Sequence, residues 1–257
     1  MIPKSHPRYE SLMTREKIVE GVKKGITGTQ GLIAQGRGEA FDYLLGEKTT
    51  PGALQAEKVA AAILLLAKRP VISVNGNVAA LVPEEIIRLS EAVNAPLEVN
   101  LFHRTEERFN AIIRHLHSLG AKNMHTKSDA LLPGIEHERA KVDSSGIFIA
   151  DVVLVPLEDG DRCKALMEMG KTVVAIDLNP LSRTSQCAQV TIVDNVVRAI
   201  PNITGFAEVL GKSEKDELQN LVKGFDNKKV LAEAIYNILH THSESIYLLR
   251  LSESNTV

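Results

Sequence analysis

Val152-Val153-Leu154-Val155-Pro156-Leu157-Glu158-Asp159-Gly160-Asp161 and, one helix-length later, Thr172-Val173-Val174-Ala175-Ile176 are the residues on which the fold reading turns. Near-continuous Val/Ile/Leu runs suit strands covered on both faces, and parallel strands need a crossover rather than a tight turn. The intervening Asp161 to Met169 reads as that crossover helix, stopped by Gly170. The same alternation extends outward. Val190–Val193 follows as another strand, and Val71–Val74 and Leu97–Leu101 precede. Between them run a helix from Pro83 to Val93, with Glu84 and Glu85 in its first turn, and one capped by Thr105. The latter carries Phe109, Ile112, Ile113, Leu116 and Leu119 and stops at Gly120. Strands alternating with helices predict an α/β fold of βαβ units with a mostly parallel sheet.

Ahead of this pattern, residues 1–68 read as a helical N-terminal segment, and 69–257 as the nucleotide-binding α/β domain. A helix is expected over Tyr9–Lys24, with Leu12, Val19, Val22 and Ile26 on one stripe and Arg15 among them. A glycine-punctuated stretch, Gly25–Gly38, separates it from a short helix over Glu39–Leu45. A third helix starts at Pro51, and its apolar half, Ala60–Leu66, should be buried all round. Asn123–Ser145 shows no period and is expected to be loop or short helix. Ser213–His242 reads as two helices, with Ser252–Val257 frayed.

With 257 residues, 44% hydrophobic and 24% charged, the chain can bury its own core without staples. A net charge of -2 argues against nucleic-acid or membrane surfaces, which need concentrated basic charge. Two separated cysteines, Cys163 and Cys187, suit a reducing compartment. The opening residues lack the apolar run of a signal peptide, so a cytoplasmic location is expected. The eight histidines give no metal-ligand spacing.

Open parallel sheets bind ligands outside the carboxyl ends of their strands. Those exits read Asn75-Gly76-Asn77, Phe102-His103-Arg104-Thr105, Pro156 to Asp161, Asp177-Leu178-Asn179 through Ser182-Arg183-Thr184, and Asp194-Asn195. Asn, Asp and Gly are also ordinary turn residues; Arg104 and Arg183 are not. Asp177 could hold ribose hydroxyls, Asn179 could read a base edge, and Arg183 with Thr184 could hold phosphate. Glu158, Asp159 and Asp161 could bind Mg²⁺ or an amine, and Asp161 equally suits a helix cap. Arg15, on an apolar stripe, wants a partner or an anionic ligand; snorkelling is the plainer reading. Arg37, between Gly36 and Gly38, can enter a pocket or lie on a surface loop. No Walker-type loop is present, and Gly36-Arg37-Gly38 is not a dinucleotide fingerprint.

Taken together, Ile2-Pro3-Lys4-Ser5-His6-Pro7-Arg8-Tyr9, Gly36-Arg37-Gly38-Glu39-Ala40-Phe41-Asp42-Tyr43-Leu44, Val71 to Asn77, Glu98 to Phe102, Val153 to Arg162 and Ala175 to Thr184 resemble the archaeal phosphopantothenate synthetases, or 4-phosphopantoate–β-alanine ligases. The likeness runs from the first residues to about Pro201. It implies a cytoplasmic, homodimeric, Rossmann-like ligase of coenzyme A biosynthesis. Such a ligase joins 4-phosphopantoate to β-alanine at the expense of ATP, through an acyl-adenylate, releasing AMP and pyrophosphate. ATP contacts then fall on Arg15, Arg37, Asp177, Leu178, Asn179, Arg183, Thr184, Asn195 and Val196, with Arg15, Arg37 and Arg183 as the catalytic candidates. Asn75, Asn77 and Arg104 are the candidates for substrate, and Mg²⁺ is expected to arrive with ATP. Gln35 departs from a histidine that the resemblance leads one to expect there, so it is given no catalytic role. The alternatives are a nicotinamide-dependent oxidoreductase on the same fold and a non-catalytic nucleotide-sensing module.

Overall fold

In the computed structural model, which describes residues 2–6 and 8–241, every strand expected from the sequence joins one parallel sheet. Three helices come first: α1 (Tyr9–Lys23), α2 (Thr29–Leu44) and α3 (Pro51–Leu66). Then follow β1 (Pro70–Val74), α4 (Gly76–Leu81), α5 (Pro83–Ala92), β2 (Leu97–Val99), α6 (Glu106–Ser118) and β3 (Met124–His125). A two-stranded antiparallel ribbon, β4 (Ala130–Leu131) and β5 (Lys141–Val142), stands apart from the main sheet. The second half runs β6 (Val152–Pro156), α7 (Gly160–Glu168), β7 (Thr172–Ile176), α8 (Arg183–Cys187), β8 (Val190–Ile192) and α9 (Val196–Leu210). Helices α10 (Lys215–Lys223) and α11 (Asn227–His240) complete it; the expected fraying of Ser252–Val257 lies outside the described residues.

The sheet order is β3-β2-β1-β6-β7-β8, all parallel. Counted within the sheet this is 3-2-1-4-5-6, the doubly wound Rossmann order. The chain grows one way from β1 and the other way from β6. Their adjacent exits therefore form the switch point where a crevice opens.

Side chains alternate along each strand, as the pleat requires. Ile72, Val74, Leu154, Val174 and Ile176 share one core with Ala56–Leu64 of α3 and with α9. Val71, Val153, Val155, Val173 and Ala175 pack with Cys163 and Leu166 of α7 on the other face. Both strand faces are dry, which is why the sequence runs read as unbroken. Thr50 caps α3 by accepting from Ala53 N at 3.2 Å, and Thr105 caps α6 by accepting from Arg108 N at 3.2 Å. No helix is long and apolar enough to cross a membrane among the described residues.

Several local expectations are corrected. Gly25–Gly38 is not a loop followed by a short helix, because α2 starts at Thr29 and runs through Gly31, Gly36 and Gly38. Contacts on both of its faces outweigh the glycines' poor helix propensity. The buried residues of α1 are Ile18 and Gly21, whereas Val19 and Arg15 are exposed. Of the expected stripe, Ile26 is in the core and Leu12 and Val22 are half-buried, while Val19 and Arg15 face outward, so Arg15 needs no buried anion. Asn123–Ser145 holds the short helix expected of it, a 3-10 turn over Glu138–Ala140, but also contributes β3 to the sheet edge and the ribbon. The cap of α7 is Asp159, which accepts from Arg162 N at 2.9 Å, and Asp161 is already in its first turn.

One carboxyl is enclosed where α3 meets α9. Glu57 is fully buried, and Asn202 Nδ2 donates to it at 3.0 Å. Burial, then the charge of Asp194, pushes its pKa up to about 9. Between the ordinary carboxylate range and about pH 9 the folded protein keeps a proton that the unfolded chain has lost. Stability from this group therefore falls as pH rises through that window. Glu57→Gln keeps the acceptor for Asn202 and removes the titration. It is expected to stabilise by on the order of 1–3 kcal/mol at about pH 8 and by little at about pH 5, read as thermal midpoints at the two pH values. Equal shifts at both would show that Glu57 is ionised in the fold.

Candidate functional site at the switch point

The exits of β1 and β6 are spliced by one side chain. Asn75 Nδ2 donates to the carbonyls of Pro156 at 2.9 Å and Leu157 at 3.1 Å. Its Oδ1 accepts from Asn77 N at 3.0 Å and Val78 N at 3.1 Å, capping α4. Leu157 holds a left-handed backbone with φ of 54°, a strain of order 1–3 kcal/mol, and its N–H donates to Ile176 O at 3.0 Å. Above this splice lies a cleft of about 310 Å³.

Helix α2 forms one wall. Gly31, Ala34, Gln35 and Gly38 face the cleft at helical spacing, and Asn77 Nδ2 donates to Gly31 O at 3.0 Å. The far end, over β7 and β8, is lined by Leu178, Asn195 and Val196, with Arg37 from the wall helix. Asn195 caps α9 and donates from Nδ2 to Asp42 Oδ2 of α2 at 2.8 Å. Arg198 ties the same joint, donating to Asp42 Oδ1 and Asp194 Oδ1 at 2.5 Å each.

The near end, over β1 and β2, holds Arg108 and Arg139 beside Phe102 and His103. Glu158 is enclosed between Arg139 and Arg162, and Arg139 Nε also pairs with Asp159 at 2.8 Å. Burial works against the Glu158 carboxylate, but the two guanidiniums outweigh it and hold its pKa below the usual range. Asp159 goes the other way, raised by burial and then by the charge of Glu158. Arg162 is fully buried, with Nη1 also donating to Ser73 Oγ at 3.2 Å.

Of the residues singled out from the sequence, the cleft gathers Arg37, Asn75, Asn77, Glu158, Asp159, Leu178, Asn195 and Val196. Asn75 is wholly committed to backbone groups. Asp177 sits below the surface of the cleft, accepting from Asn179 N at 2.9 Å and Ser182 Oγ at 2.5 Å; burial raises its pKa. Thr184 donates to Glu158 O at 2.9 Å, and exposed Arg183 pairs with Asp161 at 2.5 Å. Arg104 turns away. It precedes the Thr105 cap and packs on Phe109, 3.7 Å from the ring centroid, a cap-flanking contact in the manner of a staple. Arg15 lies in a second hollow, of about 840 Å³, on the other face of α2, where its Nε and Nη2 grip Glu39 at 2.8 and 2.6 Å. Gln35 borders both.

The sequence reading missed Arg108 and Arg139. Arg139 lay in a segment without period. Arg108 did leave a signal, since a cation in the first turn of a helix opposes the helix dipole.

A family model described as phosphopantothenate/pantothenate synthetase matches residues 52–241. The chain belongs to that family. It is 57% identical over 237 residues to a 4-phosphopantoate–β-alanine ligase of Methanosarcina mazei, covering 92% of this chain and 94% of the relative. To the enzyme of that name from Thermococcus onnurineus it is 54% identical over 239 residues, 92% of each chain. To that from Methanospirillum hungatei it is 52% identical over 246 residues, 93% of this chain and all of the relative (100%). Both alternatives raised by the sequence, an oxidoreductase and a sensing module, give way to a synthetase.

The backbone of this synthetase's cleft leaves little room at Gly76. A Cβ there would lie 2.4 Å from Ile26 O and 2.9 Å from Arg108 Nη2, and a backbone carbonyl cannot swing aside. Gly76→Ala is expected to cost about 1–3 kcal/mol of stability and to displace the near end of the cleft. Gly205→Ala, whose Cβ meets nothing within 4 Å on α9, is expected to gain up to about 1 kcal/mol. Denaturant midpoints of the two variants check the contrast.

Proposed function

We propose that this chain is an ATP-dependent ligase that condenses 4-phosphopantoate with β-alanine to 4′-phosphopantothenate, for coenzyme A. The observation that carries the reading is the similarity, across nearly the whole chain, to relatives bearing that ligase name.

A carboxylate oxygen is a poor leaving group, so amide formation needs activation. In the proposed route the carboxylate of phosphopantoate attacks the α-phosphorus of ATP and pyrophosphate leaves. The amine of β-alanine then attacks the acyl carbon, loses a proton, and AMP leaves. The protein supplies placement and charge. The nucleotide is assigned to the β7–β8 end, where the donors of Asn195 and the Asp177-Leu178-Asn179 turn lie beside Arg37. Phosphopantoate is assigned to the β1–β2 end, which leaves its carboxylate facing the nucleotide across the splice.

Among the described residues, His137, Asp159 and Asp161 bring ligand atoms within 4.8 Å of one another. Asp159 already faces Arg139, and Asp161 faces Arg183. That set does not fit a resident Mg²⁺. Mg²⁺ is instead assigned to the ATP phosphates and water.

A homodimer is part of the proposal. Val19, Leu32, Tyr43 and Leu44 expose apolar surface around the second hollow, beside the Arg15–Glu39 pair. In such a dimer Arg15 borders the partner protomer rather than its own cleft. Leu32→Asp is expected to halve the particle mass in sedimentation equilibrium; an unchanged mass removes this face from the interface.

Reaction products test the chemistry. AMP and pyrophosphate are expected only when 4-phosphopantoate is present with ATP, and phosphopantothenate only when β-alanine is added as well. ADP with inorganic phosphate would replace the adenylate by an acyl-phosphate route.

A further inference from the structure

Strand β2 and its exit carry two buried polar side chains that do not line the cleft, Glu98 and Asn100. Leu97 and Val99 point into the core shared with α3, so Glu98 and Asn100 take the opposite face. Both reach the backbone of one segment, 139–147. Asn100 Nδ2 donates to Lys141 O at 3.0 Å and to Arg139 O at 3.3 Å. Glu98 Oε1 accepts from Asp143 N at 3.0 Å, and Oε2 accepts from Ile147 N at 2.7 Å. A Cβ at Gly146 would collide with Glu98 Oε2, so the segment lies directly on the carboxylate.

What this strap carries is Arg139. Its guanidinium pairs with Glu158 and Asp159 and borders the near end of the cleft. The ribbon of β4 and β5 is not paired with the main sheet, so side chains of β2 supply the fastening that main-chain ladders supply elsewhere. The hold depends on charge. As a carboxylate Glu98 accepts both N–H groups. A proton on either oxygen would face a donor and find no acceptor, so one bond would be given up. Asp143 repels the charge, while Arg162 of α7 and Lys171 ahead of β7 attract it. His125 of β3 lies 3.9 Å from Asp143, and the neighbour of Glu98 on β1 is the neutral Ser73. Burial outweighs the two amides and pushes the Glu98 pKa up to about 7.

We propose that Glu98 is a positioning residue whose ionised carboxylate straps segment 139–147 to β2 and so sets Arg139 at the β1–β2 end, and that taking up a proton loosens the hold of that end on phosphopantoate. The proposal rests on the ligase reading, which assigns phosphopantoate to that end. The plain alternative is a buried carboxylate that serves only folding.

The KM values for 4-phosphopantoate and ATP, followed from about pH 6 to about pH 8 in wild type and Glu98→Gln, separate the two. Glu98→Gln cannot become charged and keeps one acceptor in place of two. At about pH 8 its KM for 4-phosphopantoate is expected to lie about 3- to 10-fold above wild type, with the KM for ATP unchanged. By about pH 6 the two enzymes should converge, because wild type has then taken up its proton. The substrate phosphate titrates alike in both and cancels in the comparison. Imidazoles also change charge near neutrality, so His125→Gln is the control and should follow wild type. A mutant-to-wild-type ratio constant with pH, or a rise shared equally by ATP, makes Glu98 a structural residue and overturns the proposal. Loss of the pH dependence in His125→Gln moves the titration off Glu98 and overturns it too. Should Glu98→Gln not fold, the backbone amide resonances of Asp143 and Ile147 in wild type carry the test. They are expected to shift together with a midpoint at about pH 7, and the absence of such a midpoint overturns the strap. Wild type that turns over no 4-phosphopantoate overturns the ligase reading and the substrate half of the proposal, whereas the amide shifts report the strap by itself.

Discussion

Nearly everything at the functional end of this protein hangs from the Asn75 side chain. The sheet grows in opposite directions from β1 and β6, so the switch point leaves two strand ends diverging with unpaired carbonyls. Asn75 supplies two donated hydrogen bonds to one exit and caps the helix leaving the other. A carboxylate could accept the capping bonds but donate nothing, and a lysine could donate but not cap. A hydroxyl has one proton to give, so two donated bonds together with the cap call for an amide. Its neighbour Asn77 then fixes α2 through Gly31 O, so one turn sets the floor and the wall.

Charge beneath the near end works in the same spirit. A carboxylate between two arginines is no evidence of net stability, because desolvating three ions is expensive. It does fix position. Glu158 holds Arg139, from the irregular segment before β5, and Arg162, from α7, in one place. Losing that carboxylate would leave buried Arg162 without an anionic partner and Arg139 with Asp159 alone. The β1–β2 end therefore has a rigid floor in which Arg139 and Arg162 balance Glu158 and Asp159, whereas the opposite end sets Arg37 beside the amide of Asn195 and apolar Leu178 and Val196.

Much of this was legible in the sequence. Buried parallel strands announce themselves as unbroken apolar runs, and strand exits follow from the strands, so the edge holding the site could be named. What stayed hidden depends on facing. Arg104 and Arg108 are one helical turn apart, yet the first packs along Phe109 and the second enters the cleft. The partner of Arg15 is Glu39, on a different helix, and no local period reveals it. Helix α9 was obscured by Pro201, since a proline inside a helix costs about 3 kcal/mol and tertiary packing has to override it. Strand β3 has two residues, too few to carry an alternation.

The composition of α2 has a consequence for how the cleft behaves over time. Gly31, Gly36 and Gly38 each weaken a helix by about 1 kcal/mol relative to alanine. Its order derives from partners elsewhere: Asn77 at Gly31, Arg8 and Arg15 at Glu39, Asn195 and Arg198 at Asp42. Such an element lies at the low end of the range of local opening free energies. Its amide protons are expected to exchange through partial melting of the wall rather than through unfolding of the whole chain. Any ligand that spans the cleft and touches α2 adds its binding energy to that small local term, so occupancy and order of the wall rise together.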